Sequence, residues 1–315
     1  MRPIQFSSGD YAVDRRAGVA AAMAHAQDFA AAAEVMAGAL ELAPHWTAGW
    51  QLLGDYYAHA GEAGRATAAY RQVQTLDHDG IFGATLTLAA HGEAPPPVGT
   101  DVRYVETLFD EYAGRFEQEL LDDLGYAVPP VLGRMVSDAL GGRPVARAVD
   151  LGCGTGLMGA VIRPLCARLE GVDLSQRMLA KAQRKGIYDR LEQAELVTFL
   201  SGDAGGIELL TAADVIIYCG TLPPVLAVAL RAMAPGGLFG FSLELHEGTG
   251  TLLQRRQLRY AHNPAEAAAE CEAAGFEVVT TERMGIRRER DVPVDGLVLL
   301  VRKPSDQPSA ASSAA

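Results

Sequence analysis

The spacing of apolar and polar positions divides the chain into an all-α part and a mixed α/β part. Residues 1–92 are rich in alanine and carry apolar positions at helical spacing, which predicts an all-α region. Residues 93–100 are rich in proline and glycine and are predicted to form a linker. Residues 101–145 are predicted to be helical, whereas in 146–303 short apolar strands alternate with helices. This alternation predicts an open, mostly parallel sheet, and residues 304–315 are predicted to be a disordered tail.

Within the all-α region, small and aromatic residues fall at the offsets of a repeat of about 34 residues. Residues 13–46 match these offsets weakly, through Ala32 and Pro44. The match in residues 47–80 is stronger and rests on Trp50, Leu53, Gly54, Tyr57, Ala66 and Tyr70. The region therefore resembles two tetratricopeptide (TPR) repeats, with a generic helical hairpin as the alternative. Because about three repeats are usually needed for stability, two repeats are expected to pack on the rest of the chain or on a second subunit.

Composition and charge exclude several classes of partner. A formal net charge of −12 argues against DNA or RNA as a bulk partner. No apolar run reaches ~18 residues and no signal-peptide pattern is present, so we expect a cytoplasmic protein that does not enter membranes. The four cysteines are widely spaced without a C-x-x-C pair, which favours a reducing compartment. The arginines at 287, 288 and 290 alternate with acids, and we interpret them as a solvated face.

A glycine-rich stretch at residues 150–156, "DLGCGTG", follows a predicted strand and precedes a predicted helix. Residues 154–159, "GTGLMG", fit the G-x-G-x-x-G loop of dinucleotide enzymes. Residues 150–156 fit the acidic-x-G-x-G-x-G loop of S-adenosylmethionine (SAM) methyltransferases. A carboxylate beside the loop suits the ammonium group of SAM. Asp173, at the end of the next predicted strand, is able to accept ribose hydroxyl groups from either nucleotide. The residues that follow, Ser175 and Met178, favour SAM because they resemble the S-x-x-M-L segment of methyltransferases.

Several further stretches carry a resemblance to one family. The most specific are "LFDEYAGRFEQELLDDLGY", "GVDLSQRML", "GIYDRLEQAEL", "AADVIIYCGTLPPV" and "RYAH". On these motifs residues 101–303 resemble a class I SAM-dependent methyltransferase, and the whole chain resembles the bacterial methyltransferases that carry N-terminal TPR repeats. The resemblance implies an α/β, Rossmann-like sheet of seven strands that ends in an antiparallel pair. It also implies that the apolar stripe with Tyr112 and Phe116 forms a lid over the SAM pocket.

The cofactor residues follow from the glycine loop and from the resemblance. Two placements stay open: the acid that contacts adenine is Glu195 or Asp203, and the fourth strand is 207–212, which we prefer, or 214–218. The family usually has aspartate at the position of Glu195. Capping a helix is the alternative role for Asp214. The complete set of SAM-binding candidates is Asp150, Gly152, Gly154, Gly156, Asp173, Leu174, Met178, Ala194, Glu195, Ala213, Asp214, Tyr112 and Phe116.

Candidates for the acceptor side lie just after the predicted fourth and fifth strands, because open α/β sheets bind ligands at the carboxyl ends of their strands. A histidine there is suited to act as a base near neutral pH. Arg259 would bind an acceptor carboxylate or form part of a solvated segment. No cluster has the spacing of metal ligands, so no metal is expected. The catalytic candidates are His262, Tyr260, Glu244 and His246.

The expected activity is transfer of a methyl group from SAM to a small-molecule or carrier-bound acceptor. The alternatives are a protein methyltransferase whose TPR region docks the target, a non-catalytic TPR scaffold with a vestigial SAM fold, and a dehydrogenase. The expected partners are a small-molecule acceptor, a protein bound through the TPR region, and a second copy of the chain.

Overall fold

The computed structural model describes residues 7–120, 124–289 and 292–305, and these residues form two compact units. The first unit contains the described part of 1–97 together with 103–111 and 253–258. The second contains 98–102, the described part of 112–252, and the described part of 259–315. Most of the predicted tail, from residue 306 onward, lies outside the described residues.

The first unit is all-α, as the apolar spacing predicts, and each helix packs against the next. Its packing depends on small residues. A Cβ atom on Gly54 would lie 2.4 Å from the ring of Tyr70, and the Tyr70 hydroxyl group donates a 2.9 Å hydrogen bond to Asp55. Whether these helices are TPR repeats stays a prediction. They are α1 (Tyr11–His25), α2 (Phe29–Leu40), α3 (Thr47–His59), α4 (Ala63–Leu76) and α5 (Ala84–Ala90).

The predicted stripe after the linker is interrupted in the structure. Helix α6 (Val102–Tyr112) ends at a turn, and a short α7 (Phe116–Gln118) follows. Residues 103–111 of α6 belong to the first unit, where a Cβ atom on Gly83 would lie 2.8 Å from the ring of Tyr104. Tyr112 and Phe116 of the predicted stripe therefore lie on separate helices, with a turn between them.

The second unit is built on a mixed sheet. Strands β1 (Val145–Leu151), β2 (Cys166–Asp173), β3 (Arg190–Gln193), β4 (Ile207–Ala212) and β5 (Met233–Leu245) are parallel in the order β3-β2-β1-β4-β5. The chain moves outward from β1 to β3 and then returns to the other side of β1, which makes the gap between β1 and β4 a topological switch point. The preferred fourth strand, 207–212, is confirmed.

The terminal strands also match the expectation of an antiparallel pair. Strand β9 (Val292–Arg302) runs antiparallel to both β5 and β8 (Glu277–Glu289). The described residues add two short strands, β6 (Thr251–Leu253) and β7 (Tyr260–His262), so the sheet has nine strands rather than the predicted seven. β7 pairs in parallel with the carboxyl end of β5 and extends the sheet at that edge.

Helices cover both faces of this sheet. Adjacent residues of β1 join different apolar clusters, Val149 on one face and Ala148 on the other. No helix among the described residues is long and apolar enough to cross a membrane. The helices are α8 (Val128–Leu140), α9 (Leu157–Ile162), α10 (Gln176–Lys185), α11 (Leu196–Gly202), α12 (Leu222–Ala232) and α13 (Pro264–Ala273).

Candidate active site

The glycine-rich loop leaves the carboxyl end of β1 and enters α9 with a backbone that side chains disfavour. Gly152, Gly154 and Gly156 have φ angles of 58°, 53° and 92°, in the left-handed region. A Cβ atom on Gly152 would lie 2.3 Å from Val215, whereas at Gly154 the nearest atoms, on the ring of Phe116, are 3.8 Å away. The face of Gly154 is therefore an open cradle that a larger side chain would fill.

Asp173 ties this loop to the next strand. Its carboxylate accepts hydrogen bonds of 2.8 Å from the backbone N–H groups of Gly154 and Ser175. The side chain of Ser175 caps α10 by accepting the N–H of Met178, which is fully buried, and Leu174 is partly exposed beside them. Asp173 is partly exposed and lies next to the open face of Gly154.

The two candidates for the adenine contact lie at opposite ends of the parallel strands. Glu195 follows β3 at the carboxyl edge, where it caps α11 by accepting the N–H of Thr198 at 2.8 Å. Beside it, the N–H of Ala194 donates to the carbonyl oxygen of Asp173. Asp203 instead holds Arg147, near the start of β1, with contacts of 2.6 and 2.9 Å. Asp203 thus lies at the amino ends of the strands, away from the glycine-rich loop, and this position favours Glu195 as the adenine contact.

Asp150 is buried beneath the glycine loop and bound by two hydroxyl groups. Tyr188 donates to one carboxylate oxygen at 2.7 Å, and Thr211 of β4 donates to the other at 2.8 Å. Burial raises the pKa of Asp150 to about 6, although both hydrogen bonds oppose this shift. Asp150 is therefore mostly ionised at neutral pH and gains its proton within a mildly acidic range.

The residues of the predicted lid lie beside the glycine loop in the second unit. The rings of Tyr112 and Phe116 meet edge to face with centroids 5.3 Å apart. The turn between them and the start of α7 are fastened to α10, because Lys181 donates to the carbonyl oxygen of Gly114 and Lys185 pairs with Glu117 at 2.6 Å. Burial raises the pKa of Tyr112, so its hydroxyl group stays protonated.

Beyond β4 and β5, the carboxyl edge holds a buried cluster of charges. The guanidinium group of Arg287 pairs with Asp214 and Glu244, and Arg259 pairs with Glu244 at 2.6 Å and with Glu289. Both arginines are more than nine-tenths buried. Removing one member would leave an uncompensated buried charge, so these ion pairs fix the ends of several strands.

This cluster corrects three predictions. Arg287 does not lie on a solvated face: a β-bulge between Gly285 and Arg287 turns its side chain inward, where a regular alternation would not bury both Ile286 and Arg287. Arg259 is not free to bind an acceptor carboxylate. The contacts of Glu244 argue against a role as a free base, because its carboxylate is held by both guanidinium groups.

Asp214 is predicted either to bind the cofactor or to cap a helix, but its contacts in the structure differ from both roles. Its backbone is left-handed, with φ of 62°, and its N–H donates to Ser242 at 2.8 Å. The carboxylate pairs with Arg287, and Val215 rather than Asp214 occupies the N-cap position of the short 3-10 helix that follows (Ile216–Tyr218). Asp214 and the partly buried Ala213 therefore shape the loop after β4, and the carboxylate of Asp214 already has a partner for its charge.

The two histidines of the acceptor side differ in their hydrogen bonds. In His246, Nδ1 accepts the N–H of Gly248 at 3.0 Å and Nε2 contacts the carbonyl oxygen of Gly250 at 2.8 Å. Both nitrogens of His246 thus order its own loop, which argues against the prediction that it acts as a base. His262 is 2% exposed, its Nε2 contacts the carbonyl oxygen of Gly220 at 3.0 Å, and its Nδ1 has no hydrogen-bond partner.

The contact with a carbonyl oxygen fixes the tautomer of His262. Because only an N–H group binds a carbonyl oxygen, Nε2 carries the proton and Nδ1 is the acceptor. Burial lowers the pKa of His262 to about 4, so the ring is neutral at physiological pH. Next to it, burial raises the pKa of Tyr260 to about 12, which keeps this hydroxyl group protonated.

Sequence reasoning missed the roles of Tyr188, Thr211 and Arg287. Tyr188 stands within the quoted motif "GIYDRLEQAEL", but nothing in the local pattern indicates that its hydroxyl group reaches Asp150. Within residues 7–120, 124–289 and 292–305, no group of three His, Cys, Asp or Glu side chains is arranged to hold a metal ion. All four cysteines are buried free thiols.

The glycine loop at the switch point, the acid at the end of β2 and the terminal antiparallel pair occupy the places that the family resemblance implies. Residues 149–239 match the family model described as a methyltransferase domain, and SAM is the cofactor that the sequence resemblance implies. The open cradle of Gly154 beside the partly exposed Asp173 fits the cofactor, because it leaves room above the loop and an acceptor for hydroxyl groups.

Comparison with known proteins agrees with this class. The chain is 38% identical over 90 residues to human methyltransferase-like protein 27, a match that covers 28% of this chain and 36% of that protein. It is 30% identical over 100 residues to a malonyl-acyl-carrier-protein O-methyltransferase of Enterobacter lignolyticus, covering 32% of this chain and 39% of the relative. The chain thus spans less than two fifths of the length of these relatives.

Among solved structures, the cyclase SpnF superposes with a TM-score of 0.53 at 16% identity, covering 66% of this chain and 98% of SpnF. At this identity the likeness concerns the fold, and a cyclase name shows that the fold does not by itself fix the reaction.

We expect Asp173→Ala to weaken SAM binding by about 2–3 kcal/mol, because a charged acceptor for hydroxyl donors is lost together with two bonds that order the loop. Calorimetric titration measures this loss. Asp189→Ala is the matched control, since Asp189 also accepts a backbone N–H, from Leu169, but near the start of β2. An unchanged affinity in Asp173→Ala would contradict the assignment.

Proposed function

We propose that the chain is a SAM-dependent methyltransferase that acts on a small-molecule or carrier-bound acceptor. The observation that carries the proposal is the cradle at Gly154, which is open on one face and held on the other by Asp173. A dehydrogenase would need a hydride-transfer constellation, and the sequence offers no Tyr-x-x-x-Lys pair.

In this proposal each loop at the carboxyl edge has one task toward the cofactor. Asp173 accepts the ribose hydroxyl groups, Glu195 contacts the adenine side, and Asp150 supplies a negative charge beneath the amino-acid end. Met178 and Leu174 line the adenine side, and Tyr112 and Phe116 exclude water from above. When bound, SAM supplies a methyl group made electrophilic by the neighbouring sulfonium.

On the acceptor side, His262 is the best candidate for a proton acceptor. Its free Nδ1 is an unprotonated, buried nitrogen beside the loop that ends at Gly220. A low pKa makes it a weak base, so its task is to orient and accept the proton of a hydroxyl or amine group as methyl transfer develops. Tyr260 keeps its proton and serves as a hydrogen-bond donor there.

The role of the all-α unit is also a proposal. We infer that its helices are TPR-type repeats that support α6, because Tyr104 of α6 packs onto Gly83 within that unit. Residues 253–258 of the same unit contact the end of α5, where Nε of Arg255 donates to the carbonyl oxygen of Ala90 at 3.0 Å. Docking of a protein target by the repeats is the alternative. The chain is expected to work without nucleic acid or membrane.

Binding of SAM and not of NADH is the first test of the function. Calorimetry should detect SAM binding to the wild type, and Gly154→Val should abolish it because the side chain fills the cradle and strains a left-handed backbone. Gly142→Val is the matched control: Gly142 also has positive φ, at 81°, but lies in an open turn before β1. Tight NADH binding without a response to SAM would contradict the proposal.

His262→Gln should lower the turnover number by on the order of 10²-fold or more while SAM affinity stays unchanged, because glutamine accepts a hydrogen bond but not a proton. Transfer of a tritiated methyl group to acceptors from a metabolite screen measures turnover. At saturating SAM, the wild-type rate should fall as the pH drops through about 4, where His262 gains a proton. His246→Gln is the control and should retain activity. Equal turnover in the His262 variant would rule out its role as a base.

Deleting residues 1–90 should weaken SAM binding, since α6 loses its packing partners in the first unit. Tyr104→Ala is the milder variant if the truncated chain does not fold. Calorimetry and the tritiated-methyl assay report both outcomes. Docking of a protein target is favoured if the truncated enzyme keeps full affinity and full turnover on a small acceptor while it loses a protein substrate.

A further inference from the structure

Tyr188 occupies a slot that two glycines keep open behind the glycine-rich loop. A Cβ atom on Gly159 of α9 would lie 2.1 Å from the Tyr188 hydroxyl oxygen, and one on Gly171 of β2 would lie 2.9 Å from its ring. Neither glycine has positive φ, so backbone conformation does not explain them. The two glycines therefore leave space for this ring between α9 and β2, and Gly171 also makes room for Leu191.

The ring delivers a hydroxyl group to a carboxylate that a second hydroxyl already holds. Tyr188 and Thr211 donate to different oxygens of Asp150, from the segment before β3 and from β4. Three separate parts of the fold thus meet at one buried side chain. A tyrosine that only filled space would be served equally well by phenylalanine, whereas here the hydroxyl group satisfies a buried charge.

The ionisation of Asp150 depends on this arrangement. Burial favours its neutral form, and so does the nearby negative charge of Asp173, while the two hydroxyl donors and the backbone N–H of Gly159 favour the carboxylate. The other titratable groups that face it are the thiol of Cys153 in the loop and the phenol of Tyr126, and burial raises the pKa of both, so neither carries charge near neutral pH. The hydroxyl donors therefore oppose the rise in the pKa of Asp150 that burial causes. They add no positive charge that would compete with a bound cation.

We propose that Tyr188 is a positioning residue for the cofactor site: together with Thr211 it clamps Asp150 beneath the glycine-rich loop and keeps it ionised to receive the cationic end of SAM. The inference rests on the proposed function, because SAM is the ligand whose positive charges Asp150 would balance. It adds that binding is linked to a proton at Asp150.

The sign of the linkage follows from the charges. A cation favours ionised Asp150, so SAM binding should release protons near pH 6 and weaken as the pH falls below that value. Removing one hydroxyl donor favours the neutral carboxyl group further. The midpoint of the pH dependence should then move upward, toward neutral pH, in Tyr188→Phe and in Thr211→Val.

The experiment is calorimetric titration with SAM between pH 5 and pH 8, for the full chain, in two buffers of different ionisation enthalpy. Tyr188→Phe should lower affinity by on the order of tenfold at neutral pH and raise the midpoint. In an Asp150→Asn background the same change should have little further effect, as a double-mutant cycle would show. Tyr70→Phe is the matched control, because it also removes a tyrosine hydroxyl group from an aspartate, within the all-α unit.

Each outcome has one meaning. No SAM binding by the wild type would refute the proposed function itself. Wild-type affinity in Tyr188→Phe would overturn the clamp. A loss of affinity with an unmoved midpoint, and equal in the Asp150→Asn background, would show that Tyr188 only supports packing and would also overturn it.

Discussion

The candidate site depends on one carboxylate with two backbone partners. Asp173 binds the N–H of Gly154 in the loop after β1 and the N–H of Ser175 at the start of α10. These bonds hold the left-handed loop against the end of β2 and leave the open face of Gly154 toward the ring of Phe116. The lid turn is then fastened to α10 through Lys181. Asp173 therefore holds the glycine-rich loop and the start of α10 together, and α10 in turn holds the lid segment.

The glycine-rich loop and Asp173 were predictable because the sequence features that indicate them are local. Three glycines with the required positive φ, an acid at the end of an apolar strand and a capping serine all lie within short stretches of sequence. Each of them reflects a constraint on the backbone or on a helix end, and such constraints act on neighbouring residues. The preferred fourth strand, β4, is confirmed as well, and the alternative at 214–218 falls in the loop and short helix that follow it.

The contacts that sequence reasoning missed depend on register between distant elements. Arg287 is buried because a bulge in β8 shifts the alternation of its side chains, and no residue near it in sequence shows that shift. Tyr188 reaches Asp150 across 38 positions, through space left by Gly159 and Gly171. The site thus combines a predictable backbone with charges whose pairing only the assembled sheet determines.

Amide hydrogen exchange with and without S-adenosylhomocysteine locates the cofactor site on the chain without an identified acceptor. We expect slower exchange at residues 152–156 and 173–178 and at the turn before Phe116, with little change near Arg147 at the amino ends of the strands. Protection confined to other parts of the chain, with the glycine-rich loop unchanged, would contradict the proposed cofactor site.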